Sequence, residues 1–351
     1  AVRRDGMKFL FIKDDTFSAS RKRTLSICQG IMERKLDFVW SCDTRVDALD
    51  EDVLRAMRLA GCQRISLGVE SGAPEILAAI KKKSGPDLTL DVMRMARKFG
   101  FQVRFYMIVG NRGESLKSFT ESLDLIHQAR PTEFRFQNLG FYPGTEEFEI
   151  YQQQKNLAPD IFFQTDCQVL SEGFAADVPA ETRRVLNALS AALRPAGKYF
   201  PDVHEYAEIL DRLEGYHGAH LDLAGAYLRA GQPGEAEPHI HLALEKGYPL
   251  RGLAHNYLAI VAAHGGDLAG LRDHLQRAAL AYPYAVVIRN INRFQSWIAA
   301  GGPGHGIPLK LLAENDFEGN MVPRQPELPA RLGLPIGGGK QGLSATNGFV
   351  S

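Results

Sequence analysis

Ile65-Ser66-Leu67-Gly68-Val69-Glu70 is a short apolar, β-rich run that ends in an acid, and Ile76, Leu77 and Ile80 follow it at helical spacing. A strand buried on both faces reads as such a run. Residues three and four apart share one helix face. The stretch therefore reads as one βα unit, and the pattern repeats on both sides of it. Phe9-Leu10-Phe11-Ile12 precedes a helix carrying Leu25, Cys28, Ile31 and Met32. After Phe38-Val39-Trp40, Asp50 caps a helix with Val53, Leu54 and Met57, and Gly61 stands at its stop. A further helix is expected over Thr89–Phe99, ending at Gly100. Val103–Val109 leads to a helix marked by Leu116, Phe119, Leu123 and Ile126, and Phe134-Arg135-Phe136 leads to Tyr142-Pro143-Gly144. The runs start near residues 9, 38, 65, 103 and 134. Such spacing marks repeated βα units and a parallel sheet. Five strands cannot close an eight-stranded barrel. The expected fold is α/β, an open, partial (β/α) barrel over residues 1–150.

Beyond residue 150 the pattern changes. Residues 151–215, with Pro159, Pro179, Pro195 and Pro201, read as a connector packed on the sheet. Residues 216–300 place Leu223, Ala224, Tyr227, Ala236, Ile240, Ala243 and Pro249 at tetratricopeptide spacing. Gly231, Tyr248 and Pro249 recur as Gly265, Tyr282 and Pro283, a period of about 34 residues. Gly270 and Arg277 degrade the second copy, and Val286–Ala299 offers a third helix as a cap. The sequence predicts paired antiparallel helices with Tyr227, Ala236, Ile240 and Ala243 inside. Two units are fewer than such a stack needs, so it should lean on the barrel, the connector or a protein partner. Residues 301–351 are rich in Gly and Pro and read as an extended or disordered tail.

Composition narrows the function. The chain has 351 residues, with 41 Lys+Arg against 41 Asp+Glu. Zero net charge argues against a nucleic-acid binder held by phosphate contacts. No apolar run reaches the length of a membrane span. Cys28, Cys42, Cys62 and Cys167 are scattered, with no C-x2-C or C-x3-C, and read as reduced cytoplasmic thiols. No metal ligands are assigned within the chain. His239 and His241 diverge on a helix, and Gly337-Gly338-Gly339-Lys340 lacks the Ser/Thr and the preceding strand of a phosphate loop.

Function in parallel βα folds sits at the C-terminal ends of the strands. Those positions hold Asp14, Asp15 and Thr16; Ser41, Asp43 and Arg45; Glu70 and Ser71; Gly110, Asn111 and Arg112; and Tyr142, Pro143 and Gly144. Asp15 alone is more simply a helix cap. Glu70, closing a buried run, needs a partner or its pKa rises. Together they form a polar rim suited to an ammonium group and ribose hydroxyls.

Five segments in this order, FLFIKDDTF, WSCDTRVDALDEDVLRAMRLAGC, ISLGVESGAPEIL, FYMIVGNRGESLKSF and FYPGTEEF, resemble the radical S-adenosylmethionine superfamily, and within it the branch whose members often carry a cobalamin-binding domain. The resemblance covers about residues 5–150. It implies a six-stranded partial barrel. After its first strand, a C-x3-C-x2-C loop binds three irons of a [4Fe–4S] cluster, and S-adenosylmethionine chelates the fourth. Neither that strand nor that loop is in this sequence, so its five strands resemble the second to sixth. The expectation is an N-terminally truncated enzyme whose cluster loop, with any cobalamin site, lies upstream of Ala1.

The resemblance also implies residue roles. Asp14, Asp15 and Thr16 take the position of the motif that meets the cofactor's amino group. Arg45 would face a carboxylate, and Glu70 and Ser71 the ribose. Lys82 falls where many members put a basic residue near the cofactor carboxylate, with Lys81 and Lys83 as rivals. Tyr106, Ile108 and Gly110 match the segment along the adenine, although Asn111-Arg112-Gly113-Glu114 departs from the usual Pro after that Gly. The implied chemistry is reductive cleavage of S-adenosylmethionine and hydrogen abstraction from an unknown small-molecule or peptide substrate. No catalytic side chain is assigned, and the chain alone is expected to be inactive. The rival from another class is a non-catalytic scaffold that uses the helical repeats to hold a partner.

Overall fold

A computed structural model describes residues 6–156, 158, 160, 199–281 and 285–302. Cys167, Tyr282, Pro283, most of the expected connector and nearly all of the tail lie outside the described residues. Two compact units are present, one comprising residues 1–226 and 245–249, the other residues 227–244 and 250–351.

The first unit holds a five-stranded sheet in sequence order: β1 (Phe9–Ile12), β2 (Val39–Arg45), β3 (Cys62–Glu70), β4 (Gln102–Val109) and β5 (Glu133–Asn138). Every neighbouring pair is parallel, so the sheet is an open half-barrel with all C-terminal strand ends on one edge. Its helices are α1 (Arg21–Glu33), α2 (Glu51–Leu59), α3 (Pro74–Ala79), α4 (Pro86–Lys98), α5 (Leu116–Ala129), α6 (Glu146–Lys155) and α7 (Val203–Arg212).

Local chemistry sets the element boundaries. Asp50 accepts the Val53 N–H at 2.8 Å and starts α2. Gly61 follows with φ 98°, and a Cβ there would meet the Phe38 carbonyl oxygen at 2.6 Å. Only glycine fits that turn. Helix α4 begins three residues before the expected Thr89, because Pro86 suits a first helical turn. In α1 the buried face is Thr24, Cys28 and Ile31, while Met32 is 40% exposed. Leu116 opens α5 but is 56% exposed, so the buried stripe starts at Phe119. Both residues sit a step off the stripe that meets the sheet.

The sheet has two unlike faces. Ile65, Leu67 and Val69 alternate with Arg64, Ser66 and Gly68 along β3. The apolar set faces the helices, since Phe136 of β5 lies 5.2 Å from Phe119 of α5, ring to ring. On the other face Ser41, Arg64 and Gln102 stand in one cross-strand rank and Asp43, Ser66, Arg104 and Glu133 in the next. Arg104 and Glu133 form a buried pair at 2.7 Å. Burial alone would raise the Glu133 pKa, but Arg104 and Arg135 hold it below the ordinary value.

At the opposite, N-terminal edge, the Arg58 guanidinium donates to the carbonyls of Phe99 (3.1 Å) and Cys62 (3.3 Å) and pairs with Asp222. Asp222 belongs to α8 (His217–Arg229), whose first ten residues therefore belong to the barrel unit. Tyr206 and Ile209 of α7 are buried, and Ile209 lies against Gly100, whose φ is 70°.

The repeat pattern continues as α9 (Pro233–Glu245), α10 (Arg251–His264), α11 (Leu268–Ala281) and α12 (Ala285–Ala299). Helices α8, α10 and α12 start at His217, Arg251 and Ala285, equally spaced. Asn290 donates to Asn256, 34 residues earlier, at 2.9 Å, and both are fully buried. Ala236, Ile240 and Ala243 are fully buried as expected of an inner face. Tyr227 is not. It is half-buried and stacks on His239 with centroids 5.8 Å apart. Among the described residues no helix is long and apolar enough to cross a membrane.

Two half-buried imidazoles, one in each unit, should make the protein acid-sensitive. Burial, helped by Arg58, pushes His217 down to about 4. Burial, helped by the stacked His274, does the same to His255. The unfolded chain takes up protons near pH 6.5 that the folded chain refuses until about pH 4. Stability should therefore be full above pH 6.5 and fall steadily toward pH 4. Thermal unfolding across that range checks this. His217→Gln with His255→Gln should flatten the profile, and an unchanged slope in the double variant would refute the assignment.

Candidate functional site

The C-terminal edge of the sheet carries the rim residues, and the structure shows how each is held. Glu70 is the last residue of β3 and has φ 71°, in the left-handed region. Glutamate is rarely found there, and such backbone costs about 1–3 kcal/mol. The strand register to β4 also slips between Gly68 and Glu70. This bulge re-aims the Glu70 side chain. Its carboxylate accepts from Lys82 Nζ at 3.0 Å, with both side chains less than a fifth exposed. The pair sits over Gly68. A Cβ on Gly68 would lie 2.5 Å from Glu70 Oε1 and 3.4 Å from Lys82 Nζ.

One strand over, Arg45 ends β2 and folds onto Asp47 in the following 3-10 turn. Its Nε donates to one carboxylate oxygen at 2.9 Å and its Nη2 to the other at 2.7 Å. The Asp47 carboxyl is held below its ordinary pKa, first by these hydrogen bonds and further by the Arg45 and Lys82 charges. Arg45 and Asp47 line a cavity of about 660 Å3 that is also walled by Thr16, Ser18, Arg21 and Asp50.

Thr16 thus shares a cavity with Arg45, and Glu70 joins Lys82. Asp14 is turned into its own loop, accepting the Thr16 N–H at 3.1 Å and pairing with Arg23 at 3.0 Å. Asp15 stands exposed beside it, its carbonyl accepting from Thr16 Oγ1 at 2.7 Å. Tyr106 is the cross-strand partner of Gly68, and Ile108 follows on the same face. Ser71 is 1% exposed and its hydroxyl points inward, sharing a hydrogen bond of 3.2 Å with the Ser122 hydroxyl, while Gly72 N–H donates to that same Ser122 at 2.8 Å. Ser71 braces the turn after Glu70 from within. Gly110 has φ 94°, and its N–H donates to Glu114 at 2.5 Å. Burial raises the Glu114 pKa. Glu114 ties this loop, in a sequence that lacks the usual Pro. Lys81, the rival of Lys82, pairs with Glu146 on α6 and is 75% exposed.

Two features escaped the sequence. Ser41 and Asp43 lie inside β2, which runs past Trp40 to Arg45. Asp47 was not singled out, although Asp43-x-Arg45-x-Asp47 shows the spacing that lets a turn residue reach back to Arg45. The cysteines are also less scattered than their spacing suggests. Cys28, Cys42 and Cys62 are all fully buried, and the Cys62 thiol donates to the Arg64 carbonyl at 3.4 Å. Burial pushes the Cys28 thiol up to about 12 and raises Cys62 as well. Protonated core thiols are poor ligands for a cluster, which takes thiolates.

Residues 14–126 match the profile of the Radical SAM superfamily. An uncharacterized methyltransferase of Pyrococcus horikoshii is 31% identical over 152 residues, which are 43% of this chain and 33% of that protein. Bacteriochlorophyllide d C-12(1)-methyltransferase of Chlorobaculum tepidum is 30% identical over 41% of this chain and 31% of its own. The anaerobic magnesium-protoporphyrin IX monomethyl ester cyclase of Rubrivivax gelatinosus is 24% identical over 37% and 24%. The matched part spans a third or less of these relatives. Among solved structures, the radical S-adenosylmethionine methyltransferase TsrM of Kitasatospora setae, with cobalamin and a [4Fe-4S] cluster bound, covers 45% of this chain and 33% of its own at 20% identity and TM-score 0.41.

Proposed function

We infer, from the premise that residues 14–126 are a radical SAM domain, that the rim over β1–β4 binds S-adenosylmethionine as part of a larger radical enzyme. The observation that carries this reading is Glu70. A strained, bulged acid, paired with Lys82 over a glycine at the C-terminal sheet edge, is the kind of outlier that functional sites retain. With a [4Fe–4S] cluster also bound, the chemistry supplied there is reductive cleavage of the sulfonium and hydrogen abstraction from a substrate. Cobalamin would be a further cofactor of the whole protein, and the methyltransferases among the relatives make methyl transfer the first reaction to test.

The chain's own residues bind and orient. Glu70 accepts from ribose hydroxyls. Arg45 and Lys82 face the carboxylate of the methionyl end, and Thr16 with exposed Asp15 lies toward its ammonium. Tyr106 and Ile108 flank the adenine, beside the loop that Glu114 ties at Gly110. Ser71 serves this site from behind, through Ser122. The buried Cys28, Cys42 and Cys62 do not fit the cluster, and Cys167 adds a single thiol. The chain by itself is therefore proposed to bind S-adenosylmethionine without cleaving it.

The test uses the purified chain, reconstituted anaerobically with iron and sulfide. Equilibrium dialysis should show S-adenosylmethionine bound by the wild type and about tenfold weaker in Glu70→Gln. Iron should stay well below the about four per chain that a cluster requires, with no 5′-deoxyadenosine after dithionite. No binding by the wild type would sink the reading and favour the scaffold. Stoichiometric iron with product would overturn the inactivity of the isolated chain.

A further inference from the structure

We propose that Asp47 is a positioning residue that makes the rim cavity selective for a ligand with a free carboxylate. The inference rests on the reading that S-adenosylmethionine occupies this rim.

Three observations converge on Asp47. First, its carboxylate takes Arg45 in a two-point contact, 2.9 Å to Nε and 2.7 Å to Nη2. A guanidinium gripped at two nitrogens loses its rotational freedom, and its remaining Nη1 edge has one direction left. Secondly, Arg45 and Asp47 line the same cavity of about 660 Å3. Side chains that only stabilised the loop would have no need of it. Thirdly, Asp47 lies within the field of Lys82, whose ammonium is held 3.0 Å from Glu70. Two cations are thus each fixed by their own carboxylate.

The arrangement has a chemical consequence. Arg45 without Asp47 is a long surface side chain, 47% exposed, with many rotamers. Ordering it on binding would cost about 0.5–1.5 kcal/mol. With Asp47 in place that ordering is already done. Asp47 also keeps the local charge near neutral, so the cavity does not collect any anion indiscriminately. What it then favours is a planar carboxylate that takes its hydrogen from Arg45. Asp47 makes no contact with the ligand in this scheme. It acts through Arg45.

The ligand itself supplies the test. S-adenosylmethionine and its decarboxylated analogue share the sulfonium, ribose and adenine and differ by one carboxylate. Equilibrium dialysis measures both against the wild-type chain, Asp47→Asn and Arg45→Gln, with circular dichroism as the folding control. The wild type should prefer S-adenosylmethionine over the analogue by about tenfold or more. Asp47→Asn should lose most of that preference, weakening S-adenosylmethionine about tenfold and the analogue less than about twofold. Arg45→Gln should do the same. A merely structural role would weaken both ligands alike, and that result overturns the proposal while leaving the cofactor reading intact. Unchanged preference in both folded variants overturns it equally. No binding of either ligand to the wild type removes the reading and the proposal together.

Discussion

Gly68→Ala is expected to weaken S-adenosylmethionine binding about tenfold or more while leaving the fold in place. Gly68 has an ordinary strand conformation, so its backbone tolerates a side chain. Space is the obstacle. The new Cβ would sit 2.5 Å from Glu70 Oε1 and 3.4 Å from Lys82 Nζ. Both atoms are the far ends of flexible side chains, so they swing away at small cost to the fold. The carboxylate then leaves the position that the bulge and the left-handed Glu70 backbone set up. Thermal stability should change by less than about 1 kcal/mol, the range of mild substitutions. Affinity for S-adenosylmethionine should fall by about tenfold or more, or about 1.4 kcal/mol. Dialysis of the variant beside the wild type, with melting curves, decides it, and undiminished affinity would remove Glu70 from the site. Gly72→Ala gives the contrast. There a Cβ would press on the Glu121 carbonyl and lie 2.6 Å from Ser122 Cα, both backbone atoms of α5. That strain falls on the fold.

Arg58→Met is expected to give the largest loss of stability in the barrel unit. The guanidinium is 1% exposed and answers three acceptors: Phe99 O, Cys62 O and Asp222. Burial opposes its charge, but Asp222 and the tyrosines around it outweigh that and keep its pKa raised. Methionine fills much of the volume and leaves Asp222, 9% exposed, without its cation. Breaking a buried pair from one side costs about 3–5 kcal/mol. For a unit of this size that is a drop on the order of 10 °C in the melting temperature. Adding Asp222→Leu removes the stranded charge and should restore most of the loss. If the double variant melts no higher than Arg58→Met, the cost lies in packing and the ion-pair account fails.

These two residues show where sequence reasoning stops. Arg58 sits on α2 between Met57 and Leu59 and reads as the solvated face of an amphipathic helix. Its partner is 164 residues away on α8, at a position that the repeat pattern assigns to a helical stack. No local period announces such a pair. Gly68 reads as a weak spot in a strand, and its purpose appears only when Lys82 returns from α3 to cover it. Asp47 hides within a run of ordinary surface charges, because the cavity it lines is closed by Thr16 and Arg21 from the preceding loop and helix.

By itself the sequence determined the parallel order of the five strands, the edge on which their C-terminal ends lie and the helical character of the chain beyond Tyr216. Each of these follows from short-range patterns: apolar runs, capping residues, and repeats of fixed period. Glu70, Arg45 and Thr16 stand out for the same reason, as polar positions at strand ends, whereas Lys82, twelve residues beyond Glu70, is singled out only by the family resemblance. Only the tertiary structure decided which of them meet. It joined Glu70 to Lys82, set Thr16 and Arg45 on one cavity, turned Ser71 inward to Ser122, and buried Cys28, Cys42 and Cys62 in the core. Those pairings depend on strand register, on the bulge at Gly68 and Glu70, and on how each helix returns to the sheet. All three are set by packing between residues far apart in the chain, which a pattern read along the chain does not contain.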